Sequence, residues 1–192
     1  AEDRYETILD MSRNFIGGFY EGIVKLNAAL GVRKHVLDST LLHLDDLEQT
    51  AGETDEILAE KARTNSHIGD LFAGTSAANL GDIFQSHTRH TEALNMYLQL
   101  VNGGEKKYNY NVSAEYASLA NLAMLDGKHA DATEIIQRSR SAMDQFLKDY
   151  PNDKNGLRLS DRLQMRLLDI YIELDQEEEI RALLEELKEV RS

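Results

Sequence analysis

The histidines and serines are the side chains of this sequence most able to do chemistry, and their spacing favours neither a metal centre nor a nucleophile. Of the six histidines, His87 and His90 form the close pair; three residues apart on a helix, they would share a face and could bind zinc or nickel. No third ligand lies nearby in the sequence, and the segment is polar, which favours surface histidines. The serines lack the flanking pattern of a nucleophile elbow, and there is no cysteine. We therefore expect no enzyme activity, no metal site and no cofactor.

The carboxylates also favour structural roles. The residues 153–156 follow part of a calcium-loop pattern, but Pro151 stands where the first ligand is needed and Arg162 where the bidentate glutamate is needed. The sequence therefore predicts a turn in this segment. The acidic run 177–179 falls at a predicted helix start, where carboxylates interact favourably with the helix dipole. It indicates a solvated helix.

Charge and hydropathy narrow the classes of partner and the compartment. With 21 Lys and Arg against 34 Asp and Glu, the net charge is -13, so we expect no nucleic acid partner. No run of 18 apolar residues occurs, so we expect that the chain does not span a membrane. The polar N-terminus lacks a signal peptide and an initiator Met, which indicates a processed chain or part of a longer protein. The lack of cysteine suits a periplasmic or extracellular domain, although many cytosolic proteins also have none.

The elements that must position these side chains are predicted to be helices only. Good helix formers dominate, there is one proline, and alternating runs of β-branched residues are absent. Apolar periodicity and the Gly31, Gly52 and Gly127 stop signals predict about eight helices. Their ranges are 3–30, 33–50, 54–72 with Thr54 as N-cap, 90–101, 113–125, 129–149, 159–174 and 177–190.

The later helices carry a repeat pattern. Small and large residues follow the tetratricopeptide pattern at Tyr116, Leu119, Ala120, Ala123, Gly127, Ala132 and Ile136. Small residues such as Ala120 and Ala132 let two helices approach closely. In the preceding helix pair, Ala93 corresponds to Ala132. Its partner is either Gly81, as in a compact repeat, or Gly69, which requires an inserted loop.

The segment 14–100 resembles the tetratricopeptide regions of bacterial membrane-anchored serine/threonine kinases and related signalling regulators. The resemblance is carried by VLDSTLLHLDDLEQTAGE, IGDL, NLGD and TEALNMYLQL. In that family an Asn-Leu-Gly-Asp loop lies between the helices of the first repeat, which favours Gly69 as the partner of Ala93. The letters IFQSHTRH are an insertion relative to that pattern, and whether 74–89 forms a loop or an extra helical turn stays open.

The resemblance implies a right-handed superhelical stack of antiparallel helix pairs in a single structural unit. An N-terminal hairpin, 1–52, would pack on three pairs at 53–104, 113–150 and 158–191. By the same resemblance, the concave groove is lined by Arg63, Ser66, Asp70, Ala117, Asn121, Met124, Arg162, Met165 and Asp169. Asn121 falls at the position where peptide-binding tetratricopeptide proteins bind a backbone or carboxylate group. Ala117 stands where a carboxylate clamp has a lysine, which argues against chaperone-tail recognition. Tyr108 and Tyr110 are either interface anchors or packed under the loop.

The function that we expect is a non-catalytic protein-interaction or sensing module of a larger bacterial signalling protein. It would dock a peptide or partner protein in its groove and be tethered through a membrane helix outside this sequence. Two alternatives remain. The chain could be an oligomerisation or scaffold unit that forms a homodimer through its N-terminal or acidic C-terminal helix, or a receptor whose small-molecule pocket lies between the hairpin and the first repeat.

Overall fold

The computed structural model describes residues 30–73 and 79–190, and within these ranges the chain is helical with no strand. The all-α prediction is therefore confirmed. We number the described helices α1 to α7: Leu30–Ala51, Asp55–Ala73, Ile83–Asn102, Asn109–Leu125, His129–Asp149, Lys154–Glu173 and Glu177–Val190, with a short 3-10 turn at Lys106–Tyr108. The predicted helix 3–30 lies outside the described residues, apart from Leu30.

The chain divides into two compact units, Ala1–Glu105 and Lys106–Ser192. In the first unit, α2 packs against both α1 and α3. Its hydrophobic centre includes Leu37, Ile68 and Leu71, all fully buried. These side chains belong to α1 and α2, and their burial is the main favourable term that holds these two helices together.

Helices α2 and α3 approach each other closely at Gly69. The His90 ring lies directly over Gly69, so that a Cβ added there would stand 2.7 Å from two ring atoms. Next to it, the buried Ser86 hydroxyl donates to the Gly69 carbonyl at 2.8 Å. Gly81 instead lies in the loop before α3, with φ +74°. Gly69 is thus the small residue at which the helices meet, and the compact alternative with Gly81 is wrong.

Two predicted boundaries in this unit need correction. Helix α3 begins at Ile83 rather than near residue 90, because the Asp82 carboxylate caps it by accepting from the Gln85 N–H at 3.0 Å. The letters IFQSHTRH therefore form the first two turns of α3. Gly31, predicted as a stop signal, lies in the first turn of α1. The predicted N-cap of α2 is confirmed, since the Thr54 hydroxyl accepts from the Ile57 N–H at 3.3 Å.

The second unit consists of α4 to α7, each packed against the next, with α4 also in contact with α6. The predicted ranges of α5 and α7 are confirmed. The turn between α4 and α5 uses Gly127 with φ +72°, a conformation that favours glycine. The core of this unit contains Ala120, Ala132, Ile136, Met143, Phe146, Leu159, Leu163, Leu167 and Ile170. Ala120 and Ala132 are both fully buried, in keeping with the small-residue pattern.

Helix α6 begins earlier than the sequence predicts. The predicted loop 151–156 ends at Asp153, whose carboxylate caps α6 by accepting from the Gly156 N–H at 2.7 Å. Gly156 is itself helical and buried, and a Cβ there would stand 2.8 Å from the Phe146 ring. Helix α4 also begins earlier, at Asn109 rather than near residue 113. For α6, the Asp153 cap places the helix start before the point where apolar periodicity begins.

A hydroxyl pair joins α4 to α5 in the core of the second unit. Ser139 Oγ donates to the Ser113 carbonyl at 2.7 Å and lies 3.1 Å from Ser113 Oγ. Both side chains are fully buried. Since a buried hydroxyl without a partner is costly, this pair fixes how the two helices meet.

Candidate functional site

The predicted groove residues of the first unit lie on α2. Arg63 is partly buried and pairs with Glu60 one turn earlier, and Ser66 is partly buried. Asp70 is exposed, and its carboxylate lies 3.7 Å from His90 Nε2. Asp70 thus lies near α3, whereas the Arg63–Glu60 pair lies within α2.

The other six predicted groove residues lie in the second unit, on two helices that contact each other. On α4, Ala117 and Met124 pack against the core and Asn121 is partly buried. The three on α6, Arg162, Met165 and Asp169, are exposed. The accessible part of the predicted groove in this unit is thus provided mainly by α6.

An open pocket of about 460 Å³ lies where α4 and α6 begin. Its lining comprises Tyr110 of α4 and Asn155, Arg158, Asp161 and Arg162 of α6. Tyr110 also packs edge-on against the core residue Phe146, at 5.6 Å between ring centroids. Tyr110 therefore packs against the core and also lines the pocket, and its role as an interface anchor stays a prediction. Its ring is held in place by the core, which fixes one wall of the pocket.

Three arginines follow each other along α6 at intervals of four residues: Arg158, Arg162 and Arg166. We call these three residues the arginine ladder. Side chains four residues apart share one side of a helix and are separated by about 6 Å along its axis. In the part of the chain that the structure describes, none of the three forms a hydrogen bond or an ion pair, and the Nε atom of Arg166 is buried.

The remaining described arginines differ from the ladder. Each of them has an interaction partner: Arg33, Arg63, Arg89, Arg138, Arg140 and Arg181. Of the three arginines of the ladder, only Arg162 was predicted from the sequence to line the groove. The four-residue spacing is visible in the sequence, but the lack of ion pairs with other described residues becomes apparent only once the helices are packed.

His67 and His90 of the first unit lie close enough for their charges to interact. His90 is only 2% exposed, so the prediction of a surface histidine is wrong for it, while His87 is exposed. The pKa of His67 is lowered to about 4, first by burial and then by the charges of Arg63 and Arg33 and by the nearby His90. His67 is therefore neutral at pH 7. Among the described residues, no group of three or more His, Asp or Glu side chains is placed to hold a metal ion.

Comparison with known proteins yields no match to any family model, any curated protein or any solved structure. None of the described helices is both long enough and apolar enough to cross a membrane.

Proposed function

We propose that this chain is a non-catalytic protein-interaction module, built from tetratricopeptide-like helix pairs in a right-handed stack. The packing order within the second unit supports this, since α4 packs on α5, α5 on α6 and α6 on α7, with α4 also touching α6. Stacked helix pairs of this kind leave the first helix of each pair available to line a binding surface. The resemblance to the docking regions of bacterial signalling proteins supports a role within a larger signalling protein.

The observation that carries the proposal is the exposed side of α6. Met165 and Ile172 are 56% and 58% exposed, and they lie seven residues apart, hence on one side of the helix. The arginine ladder begins at the pocket and runs beside them. Apolar side chains next to unpaired guanidinium groups and an aromatic wall are the composition that protein interfaces favour. A partner segment would bury Met165 and Ile172 and place one end in the pocket beside Tyr110.

The proposal can be tested by selecting binders from a random peptide display library on the 192-residue chain. Selected peptides would then be titrated against a Met165→Asp, Ile172→Asp variant by fluorescence anisotropy. We expect affinity to fall about tenfold or more, because a buried apolar contact is replaced by an unpaired carboxylate. Val32→Asp, Leu42→Asp is the matched control, since Val32 and Leu42 are similarly exposed but lie on α1 of the first unit.

Failure to enrich any peptide, or equal binding by the variant, would refute the proposal. Sedimentation of the chain alone provides the contrasting outcome. Self-association that Met165→Asp, Ile172→Asp abolishes would identify the exposed row of α6 as a homodimer contact rather than a docking surface.

A further inference from the structure

We propose that the arginine ladder of α6 binds an acidic peptide segment whose carboxylates recur along one side. This rests on the proposed function, because it assumes that a peptide lies along α6. It adds the chemistry of the partner, namely regularly spaced Asp or Glu side chains with an apolar residue alongside.

The charge environment of the ladder is the first argument. The chain has 34 acidic and 21 basic residues, and the other described arginines have partners. Arg158, Arg162 and Arg166 arise within about 12 Å along the axis of α6. Asp161 lines the pocket beside two of them, but none of the three forms an ion pair within the described ranges, so the guanidinium groups repel one another. A ligand with carboxylates along one side would relieve this repulsion at each position.

The spacing of the ladder is the second argument. Its guanidinium groups arise about 6 Å apart along the axis of α6. Alternate side chains of an extended peptide are about 6.6 Å apart, and side chains four residues apart on a helix are about 6 Å apart. Three carboxylates in either arrangement match the three arginines. A single terminal carboxylate would engage the pocket and leave Arg166, whose Nε is buried and has no hydrogen-bond partner, without a counter-charge.

The pocket at the beginning of α6 is the third argument. Arg158 and Arg162 line it together with Asn155 and Tyr110, so two guanidinium groups, an amide and a phenol surround one space of about 460 Å³. Guanidinium groups bind carboxylates through paired, charge-assisted hydrogen bonds. The fifth polar side chain, Asp161, also lines this space and disfavours a dense polyanion.

The net charge of -13 favours a short acidic segment over a nucleic acid. A long polyanion would extend beyond the ladder onto the acidic remainder of the surface, where like charges repel it. A short acidic peptide would contact only the arginine ladder. Met165, exposed next to Arg166, offers an apolar contact that a sugar-phosphate backbone would not use.

The test uses two synthetic twelve-residue peptides, one with three glutamates at alternate positions and one with glutamines in their place. We expect the glutamate peptide to bind the full chain about tenfold or more tightly than the glutamine peptide. The variant Arg158→Glu, Arg162→Glu should remove that preference, because the attraction becomes repulsion. The matched control, Lys148→Glu, Lys188→Glu, changes net charge equally on exposed side chains of α5 and α7 and should keep the preference. Circular dichroism of each variant checks that the helices remain folded.

The outcomes separate this proposal from the proposed function. Library-selected peptides that lack spaced acidic residues and bind Arg158→Glu, Arg162→Glu normally would overturn the ladder proposal and leave the docking function in place. An absence of any peptide binding would overturn both. An oligothymidylate of twelve nucleotides that binds more tightly than the glutamate peptide, and is lost on the same variant, would assign the ladder to nucleic acid instead.

Discussion

Gly69→Ala tests directly whether α2 and α3 meet at Gly69. The new methyl group would stand 2.7 Å from His90 Cδ2 and Nε2, whereas ordinary contact begins at 3.4 Å. The His90 ring cannot easily retreat, because it is rigid and only 2% exposed. Overpacking of this kind destabilises by about 1–3 kcal/mol. Replacing a helical glycine with alanine by itself stabilises the helix by about 1 kcal/mol. We therefore expect Gly69→Ala to lower the free energy of unfolding by about 1 kcal/mol overall.

Hydrogen exchange at the amides of α2 and α3 is the appropriate assay, because the chain has two compact units and a single global transition cannot be assumed. Gly31→Ala is the control. Gly31 is also helical, but a Cβ there meets nothing within 4 Å, so this change should stabilise by up to about 1 kcal/mol.

A double-mutant cycle with His90→Ala isolates the steric contact. Removing the ring leaves space for the methyl group, so Gly69→Ala should be neutral or stabilising in that background. The coupling between the two sites should be about 1–3 kcal/mol, the size of the overpacking penalty. If Gly69→Ala stabilises the protein equally with and without His90, the packing described here is refuted.

Three further predictions concern buried polar groups and a cap. Ser139→Ala should lower the free energy of opening, measured by hydrogen exchange in α5, by about 1–2 kcal/mol. Ser113→Ala should lower it less, because Ser139 still donates to the Ser113 carbonyl, and equal losses would contradict this. Because the pKa of His67 is about 4 in the folded state against 6.5 when unperturbed, the unfolded state binds more protons between these values. Its stabilising contribution is therefore present above about pH 6.5 and lost as pH falls towards 4; His67→Gln should flatten the acid side of the stability profile, and an unchanged profile would argue against a neutral buried ring. Asp153→Ala should cost about 1 kcal/mol and fray the start of α6 by hydrogen exchange, whereas Asp153→Asn should preserve the cap.

Much of the fold was accessible from local sequence signals. The ranges of α5 and α7 follow from turn residues and apolar periodicity, and the N-cap of α2 follows from Thr54. Predictions failed where a cap preceded the apolar stripe, as at Asp82 and Asp153. There the first turns of α3 and α6 carry few buried apolar side chains, so periodicity alone placed the helix starts too late.

The candidate site was accessible only in part. Arg162 and Met165 were selected and are exposed on α6, but the selection also included Ala117 and Met124, which pack against the core. Tyr110 had been considered as an anchor, yet its place beside Arg158 was not foreseen. A helical pattern gives the side of a helix on which a residue lies, whereas a neighbouring helix decides whether that side is covered.

The sequence by itself determined the all-helical class, most helix ends and the four-residue spacing of the arginines on α6, because these depend on interactions between residues close in the chain. Only the tertiary structure decided that Gly69 receives the His90 ring, that His67 is partly buried and neutral, and that the arginine ladder begins next to Tyr110 without forming an ion pair to any residue that the structure describes. Each of these properties is set by side chains distant in sequence, since burial and the pairing of charges depend on which surfaces the packed helices bring together.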